Sequence, residues 1–158
     1  TLPIPEAMKL DKKDRQILEA LQLDARQSLA AIGKRIGLSQ PAMSERVRKL
    51  EAAGVIEGYG ARVNLRAIGI GLQAIIRIQT THEGIRPYIQ LFEEMPEVLE
   101  ADRVTGEDCF MVRCAIAEPE DLQRVVDALA RHGSVTTALV LSSPVRKTAT
   151  VRAAIRLR

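Results

Sequence analysis

Residues 28–54, SLAAIGKRIGLSQPAMSERVRKLEAAG, place two helix-period apolar stripes on either side of one glycine. Leu29, Ile32 and Ile36 recur at three and four residues, Gly37 supplies the left-handed stop, and Leu38 can fold back over it. Ser39 then caps a further helix that tolerates Pro41 in its first turn, carries Met43, Val47 and Leu50 on its apolar face and stops at Gly54. Two helices about so short a glycine turn can form only a helical hairpin or a helix-turn-helix. A third helix is expected before them, over about 11–23, from the capping pair Asp11 and Asp14 and the stripe Ile17, Leu18, Leu21. After Gly54, VIEGYGARVN is β-branched without a helical period and is read as a strand or small wing. Gly58, Gly60, Gly69 and Gly71 mark 58–71 as a hinge between two domains, 1–64 and 65–158.

Charge decides between a hairpin and a nucleic-acid reader. Residues 26–49 hold six bases (Arg26, Lys34, Arg35, Arg46, Arg48, Lys49) against Glu45 alone, a local surplus of the kind that attracts phosphates. Residues 65–145 hold seven bases and twelve acids and are not expected to touch nucleic acid, whereas 146–158 has five bases and no acid. On the third helix the face opposite Met43, Val47 and Leu50 carries Pro41, Glu45, Arg48 and Ala52, flanked by Ser44 and Lys49. Laid in a major groove behind the Ser39 cap, this helix would let Gln40 and Ser44 reach base edges. Arg48 would take guanine or phosphate, and Arg46 and Lys49 phosphates; Arg62, beyond the helix, could meet another. Glu45 either accepts from cytosine or pairs with Arg48 or Lys49.

The second half changes period. GLQAIIRIQTT, VLEADRV, CFMVRCAI and VTTALVLSS read as strands. IRPYIQLFEEM reads as a helix with Ile85, Ile89 and Phe92 on one face, and EPEDLQRVVDALARHG as one with Leu122, Val125, Val126 and Leu129. The order β-α-β-β-α-β is the ferredoxin-like split βαβ, a four-stranded antiparallel sheet under two helices. Ile75, Met111 and Val140 leave its open face apolar enough to expect a second copy against it. The expected class is therefore α+β, a winged helix-turn-helix joined to a ferredoxin-like domain.

Other functions find little support in the residues. No window of 18 apolar residues lacks a charge and TLPIPEAMKLDKKDR has no apolar core, so neither a membrane span nor a signal peptide is expected. With no Trp, two Tyr and two Phe, aromatic platforms for single strands are not expected, and Leu, Ile, Val and Ala are left to build the core. Cys109 and Cys114 on one strand would stand roughly 17 Å apart on opposite faces, too far to pair. His82 and His132 lack a neighbouring ligand, so no metal and no cofactor is expected. No nucleophile–base pair or phosphate-cradling loop points to an enzyme.

The phrase GLS-x-x-x-x-x-x-RV-x-x-LE-x-x-GVI-x-GY, followed at the right separation by VTGEDCF and TTALVLSSP, closely resembles the Lrp/AsnC family of feast/famine regulators over about residues 10–143. The resemblance implies a cytoplasmic transcription factor that binds double-stranded DNA. Its C-terminal domain would dimerise, assemble dimers into octamers or similar discs and bind an amino acid between dimers. Carried over to this sequence, the effector site would comprise Val104, Thr105, Gly106, Glu107, Asp108 and Cys109, with Thr136 and Thr137 from the last strand. A glycine turn of this kind offers backbone N–H groups to an α-carboxylate and Glu107 or Asp108 to an α-ammonium, although by itself VTGEDC also reads as a solvated tight turn. The chain departs from the family in two places. Cys109 and Phe110 stand where many members have an acid followed by Tyr, and the tail RKTATVRAAIRLR is longer and more basic. An architectural protein that wraps DNA with little base specificity is the alternative reading.

Overall fold

The computed structural model describes residues 8–145 and Val151. The chain divides into two compact units, one running to Ala61 and including Val151, the other Arg62–Val145.

In the first unit, α1 (Lys12–Leu23), α2 (Leu29–Ile36) and α3 (Gln40–Ala52) each begin at a side-chain cap. Asp11 and Asp14 form a reciprocal capping box on α1, and Ser28 and Ser39 accept from Ala31 N and Ala42 N. The core is aliphatic: Ile17, Leu18, Ala20 and Leu21 meet Ile32, Ile36, Met43, Val47 and Leu50. The turn between α2 and α3 is tight for two reasons. Gly37 ends α2 at φ +70, and a Cβ on Gly33 would lie 2.9 Å from the Leu38 carbonyl. That carbonyl-lined approach sets how closely α3 leaves α2.

The expected wing strand is not formed. Gly54 turns the chain at φ +68, the N–H groups of Val55 and Ile56 return to the Leu50 carbonyl, and both side chains pack on the three-helix core. The β-branched residues that resemble a strand in sequence thus serve as the hydrophobic cap of α3. The rest of 57–64 carries no regular element, and a single 3-10 turn, Leu65–Ile68, precedes the sheet.

The second unit follows the expected order: β1 (Leu72–Gln79), α4 (Ile85–Glu94), β2 (Val98–Arg103), β3 (Phe110–Ile116), α5 (Pro119–Leu129) and β4 (Ser134–Leu139). The sheet is antiparallel in the order β2-β3-β1-β4, with Ile76 opposite Val112 on one side and Thr137 on the other. Ala74, Ile76 and Ile78 of β1 and Phe110, Val112, Cys114 and Ile116 of β3 face Tyr88 and Phe92 of α4 and Val125 and Leu129 of α5. Here the structure corrects two expectations. Tyr88, not Ile89, is the fully buried residue of α4, because its hydroxyl donates to the Leu129 carbonyl at 2.6 Å and is satisfied inside the core. The core is also not purely aliphatic, since Tyr88, Phe92 and Phe110 form a mutually packed ring cluster. Cys114 lies buried in this core, where desolvation pushes its thiol up to about 11. Cys109 falls just before β3, half-buried, and both cysteines are free.

The open face of the sheet is mixed. Ile75, Met111 and Val140 are half-buried, but Arg77, Arg113, Glu100 and Asp102 lie among them.

Candidate nucleic-acid interface and effector turn

The helix period of α3 separates its residues cleanly. Met43, Val47 and Leu50 face the core, while Ser39, Gln40, Pro41, Ser44, Glu45, Arg48 and Lys49 are exposed. Ser39 spends its hydroxyl on the cap at 3.4 Å. Gln40 and Ser44, in the first two turns, have no protein partner among the described residues and are available to a ligand.

Glu45 accepts from Arg48 Nη2 at 2.9 Å and Nε at 3.1 Å, with Lys49 Nζ at 3.6 Å. In the chain alone Glu45 is thus ion-paired with Arg48 and Lys49. The Arg48 hydrogen bond holds the Glu45 carboxyl below its ordinary value, with the charges of Arg48 and Lys49 adding to it. Glu45 thereby tethers both cations to one side of the helix, in exposed ion pairs that contribute little to stability. Arg46 stands apart. Its guanidinium donates to Asp11 and Asp14 at 2.7 Å each, so the residue expected on phosphate is engaged with α1.

In the second unit, Val104–Cys109 is the loop joining β2 to β3. The Val104 N–H donates to the Cys109 carbonyl, closing the loop at 3.1 Å, and Gly106 sits at φ +115, a conformation side chains seldom adopt. Cys109 anchors the loop to β1: its N–H donates to the Ile78 carbonyl at 2.7 Å and its Sγ to the Thr80 carbonyl at 3.2 Å. Asp108 is drawn to the same strand, 3.7 Å from Arg77 Nη1 and 3.5 Å from Gln79 Nε2. Thr105, Gly106 and Glu107 remain exposed.

Thr136 and Thr137 are separated by strand alternation. Thr136 pairs with Arg77 on the open face, beside the strand that holds the loop, whereas Thr137 pairs with Ile76, which faces the helices. Arg77 is thus common to Asp108 and Thr136 and was absent from the sequence-derived site. Its signal, a lone base in AIIRIQ, gains meaning only from the register of three strands. Among the described residues no group of His, Cys, Asp or Glu is placed to hold a metal, and no helix is long and apolar enough to cross a membrane.

A helix-turn-helix with a solvent-facing polar helix, joined to a ferredoxin-like α+β module, defines a two-domain helix-turn-helix protein, and comparison with known proteins narrows the class. An AsnC-type helix-turn-helix domain matches residues 10–51, and a Lrp/AsnC ligand binding domain matches residues 73–150. The HTH-type transcriptional regulator YezC of Bacillus subtilis is 34% identical over 134 residues, covering 85% of this chain and 95% of that protein. Escherichia coli AsnC superposes with a TM-score of 0.83 at 28% identity, over 90% of this chain and 99% of that one. A transcriptional regulator of Neisseria meningitidis, solved as a complex with L-Met, gives a TM-score of 0.81 at 26% identity over 90% and 96%. The chain belongs to the Lrp/AsnC family of transcriptional regulators, a family of DNA-binding proteins rather than enzymes.

Proposed function

We infer that this regulator reads double-stranded DNA through α3 and senses an amino acid at the Val104–Cys109 loop. The observation that carries the first half is the exposed run of α3, where, among the described residues, Gln40 and Ser44 are unpartnered and Arg48 and Lys49 are held only by Glu45. Docked N-terminus first in a major groove, Gln40 and Ser44 meet base edges, Arg48 a guanine or phosphate, and Lys49 a phosphate. Ser39 and Pro41 set the entry of the helix. The division of labour runs between 1–64 for DNA and the following domain for effector and assembly.

The loop supports the second half. Its backbone is fixed at both ends while Thr105, Gly106 and Glu107 stay open, an arrangement suited to a zwitterion whose carboxylate takes N–H groups and whose ammonium takes Glu107. Thr136 joins it from the open face. The L-Met complex of the Neisseria meningitidis relative supports an amino acid as the effector class. The half-buried Ile75, Met111 and Val140 of the open face support a second copy against it, and the family supports further assembly of such homodimers into octamers or similar particles in the cytoplasm.

Thermal stabilisation by each proteinogenic amino acid in turn tests the sensor. A true effector at 100 times its dissociation constant adds about 2.7 kcal/mol, and a panel without a single hit removes the amino-acid reading. Footprinting tests the DNA half. Protected half-sites should recur every 34–36 Å or multiples of that spacing, and irregular protection counts against paired α3 helices.

A further inference from the structure

The first turn of α1 holds both helices of the helix-turn-helix at once. Lys13 Nζ donates to the Ile36 carbonyl at the end of α2, one of the acceptors a helix C-terminus leaves without an intrahelical donor. Asp11 and Asp14 take Arg46 of α3, and all four of their carboxylate oxygens are used. Asp11 Oδ1 accepts from Asp14 N at 2.8 Å, Asp14 Oδ2 accepts from Asp11 N at 3.1 Å, and the remaining two share Arg46 Nη1. Asp14 is the only charged residue buried among the described ones, and Arg46 is the only base paired with it.

We propose that Arg46 is a positioning residue of the DNA-reading helix and makes no contact with DNA. Its side chain is 32% exposed, against 68% for Arg48 and 63% for Lys49, on the side of α3 turned to α1. Swinging it to a phosphate would strip a buried carboxylate of its counter-charge, which costs far more than one more phosphate contact returns. Arg46 also lies between Ser44 and Arg48, so fixing it fixes the rotation of α3 about its own axis, and with it which side chains point at the bases. The capping box of α1 therefore acts twice, once on its own helix and once as the stop against which the reading helix is registered.

This inference rests on α3 being the DNA-facing helix. That premise is checked separately by the unaltered chain, which should prefer a duplex selected by it from a random pool over a scrambled duplex. The inference itself is tested with Asp11→Asn/Asp14→Asn, measured by anisotropy on both duplexes between 50 and 200 mM salt. The expected result is a loss of about tenfold on the selected duplex, a smaller loss on the scrambled one, and an unchanged slope of affinity against salt. A phosphate-binding Arg46 predicts the opposite, because releasing it from the two acids would leave affinity unchanged or raise it on both duplexes. Equal losses on both duplexes would mark a merely weakened fold and also overturn the proposal. Should the double variant fail to fold, Asp11→Asn alone gives the same signs, since Asn caps a helix as well as Asp. In Arg46→Ala the salt slope should stay where it is. A slope shallower by about one unit would put Arg46 on a phosphate.

Discussion

The two candidate surfaces are held in opposite ways. On α3 the functional side chains are displayed by the helix itself, and the core residues that support them, Met43, Val47 and Leu50, lie in the same thirteen-residue element. In the Val104–Cys109 loop, among the described residues, nothing local fixes the geometry beyond the Val104–Cys109 closure and Gly106. Its position comes from Ile78, Gln79 and Thr80, about thirty residues away in sequence. A surface built on one helix keeps its internal spacing and depends on the rest of its domain chiefly for its rotation, through Arg46 on Asp11 and Asp14, whereas a loop pinned to a neighbouring strand inherits every disturbance of that strand.

The largest expected effects separate the units outright. Leu50→Ala and Ile76→Ala, each deleting a side chain buried to within 1%, should cost about 2–5 kcal/mol in their own units. The chain has two tyrosines, Tyr59 in the first unit and Tyr88 in the second, so Tyr59→Phe and Tyr88→Phe backgrounds report each unit's unfolding in turn. Leu50→Ala should abolish DNA binding and leave amino-acid stabilisation intact, and Ile76→Ala the reverse; loss of both activities in either variant would break the comparison.

Arg48→Ala comes next. It should weaken binding to a selected duplex by about 1–3 kcal/mol if Arg48 reads a base, while an equal loss on random DNA reduces it to a phosphate contact. Glycine substitutions sharpen the contrast between helix and loop. Gly106→Ala forces a side chain into φ +115, well outside the left-handed well, although its Cβ would meet open space. It should cost about 1–3 kcal/mol and reduce effector affinity. Gly37→Ala, at φ +70 inside that well, should cost about 1 kcal/mol in chemical unfolding with less effect on the partner site.

The smallest effect is acid sensitivity of the α1 clamp. The Asp14 N–H and then Arg46 hold the Asp11 carboxyl below its ordinary 3.8. Its contribution is therefore fully present above that value and fades as pH falls through the lower folded value. Melting of the first unit followed from pH 5 to pH 2 should show an acid limb that flattens in Asp11→Asn.

Most of the fold was legible because it rests on short-range rules. Caps at Asp11, Ser28 and Ser39, the stop at Gly37, and the alternation in β1 and β3 all act within a few residues. What escaped depends on long-range partners. Val55 and Ile56 have strand propensity but find a better use against Leu50, and Tyr88 takes the core position because the Leu129 carbonyl waits for its hydroxyl. The exposed α3 residues were readable from helical phase, yet the engagement of Arg46 with acids 32 and 35 residues away was not. The loop residues came only from family resemblance, and Arg77 from neither source, since its place between Asp108 and Thr136 exists only once three strands are in register.

The strand order β2-β3-β1-β4 carries a kinetic consequence. Among the described strands, only β2 and β3 are joined by a short turn, so only they can pair as a hairpin, in about 1–10 μs. β1 pairs with β3 and β4 only after longer chain segments close, a slower step. The turn of that early hairpin is Val104–Cys109. A sequence change there therefore alters the speed at which the sheet begins to assemble, so a loop proposed to hold an effector answers to folding as well.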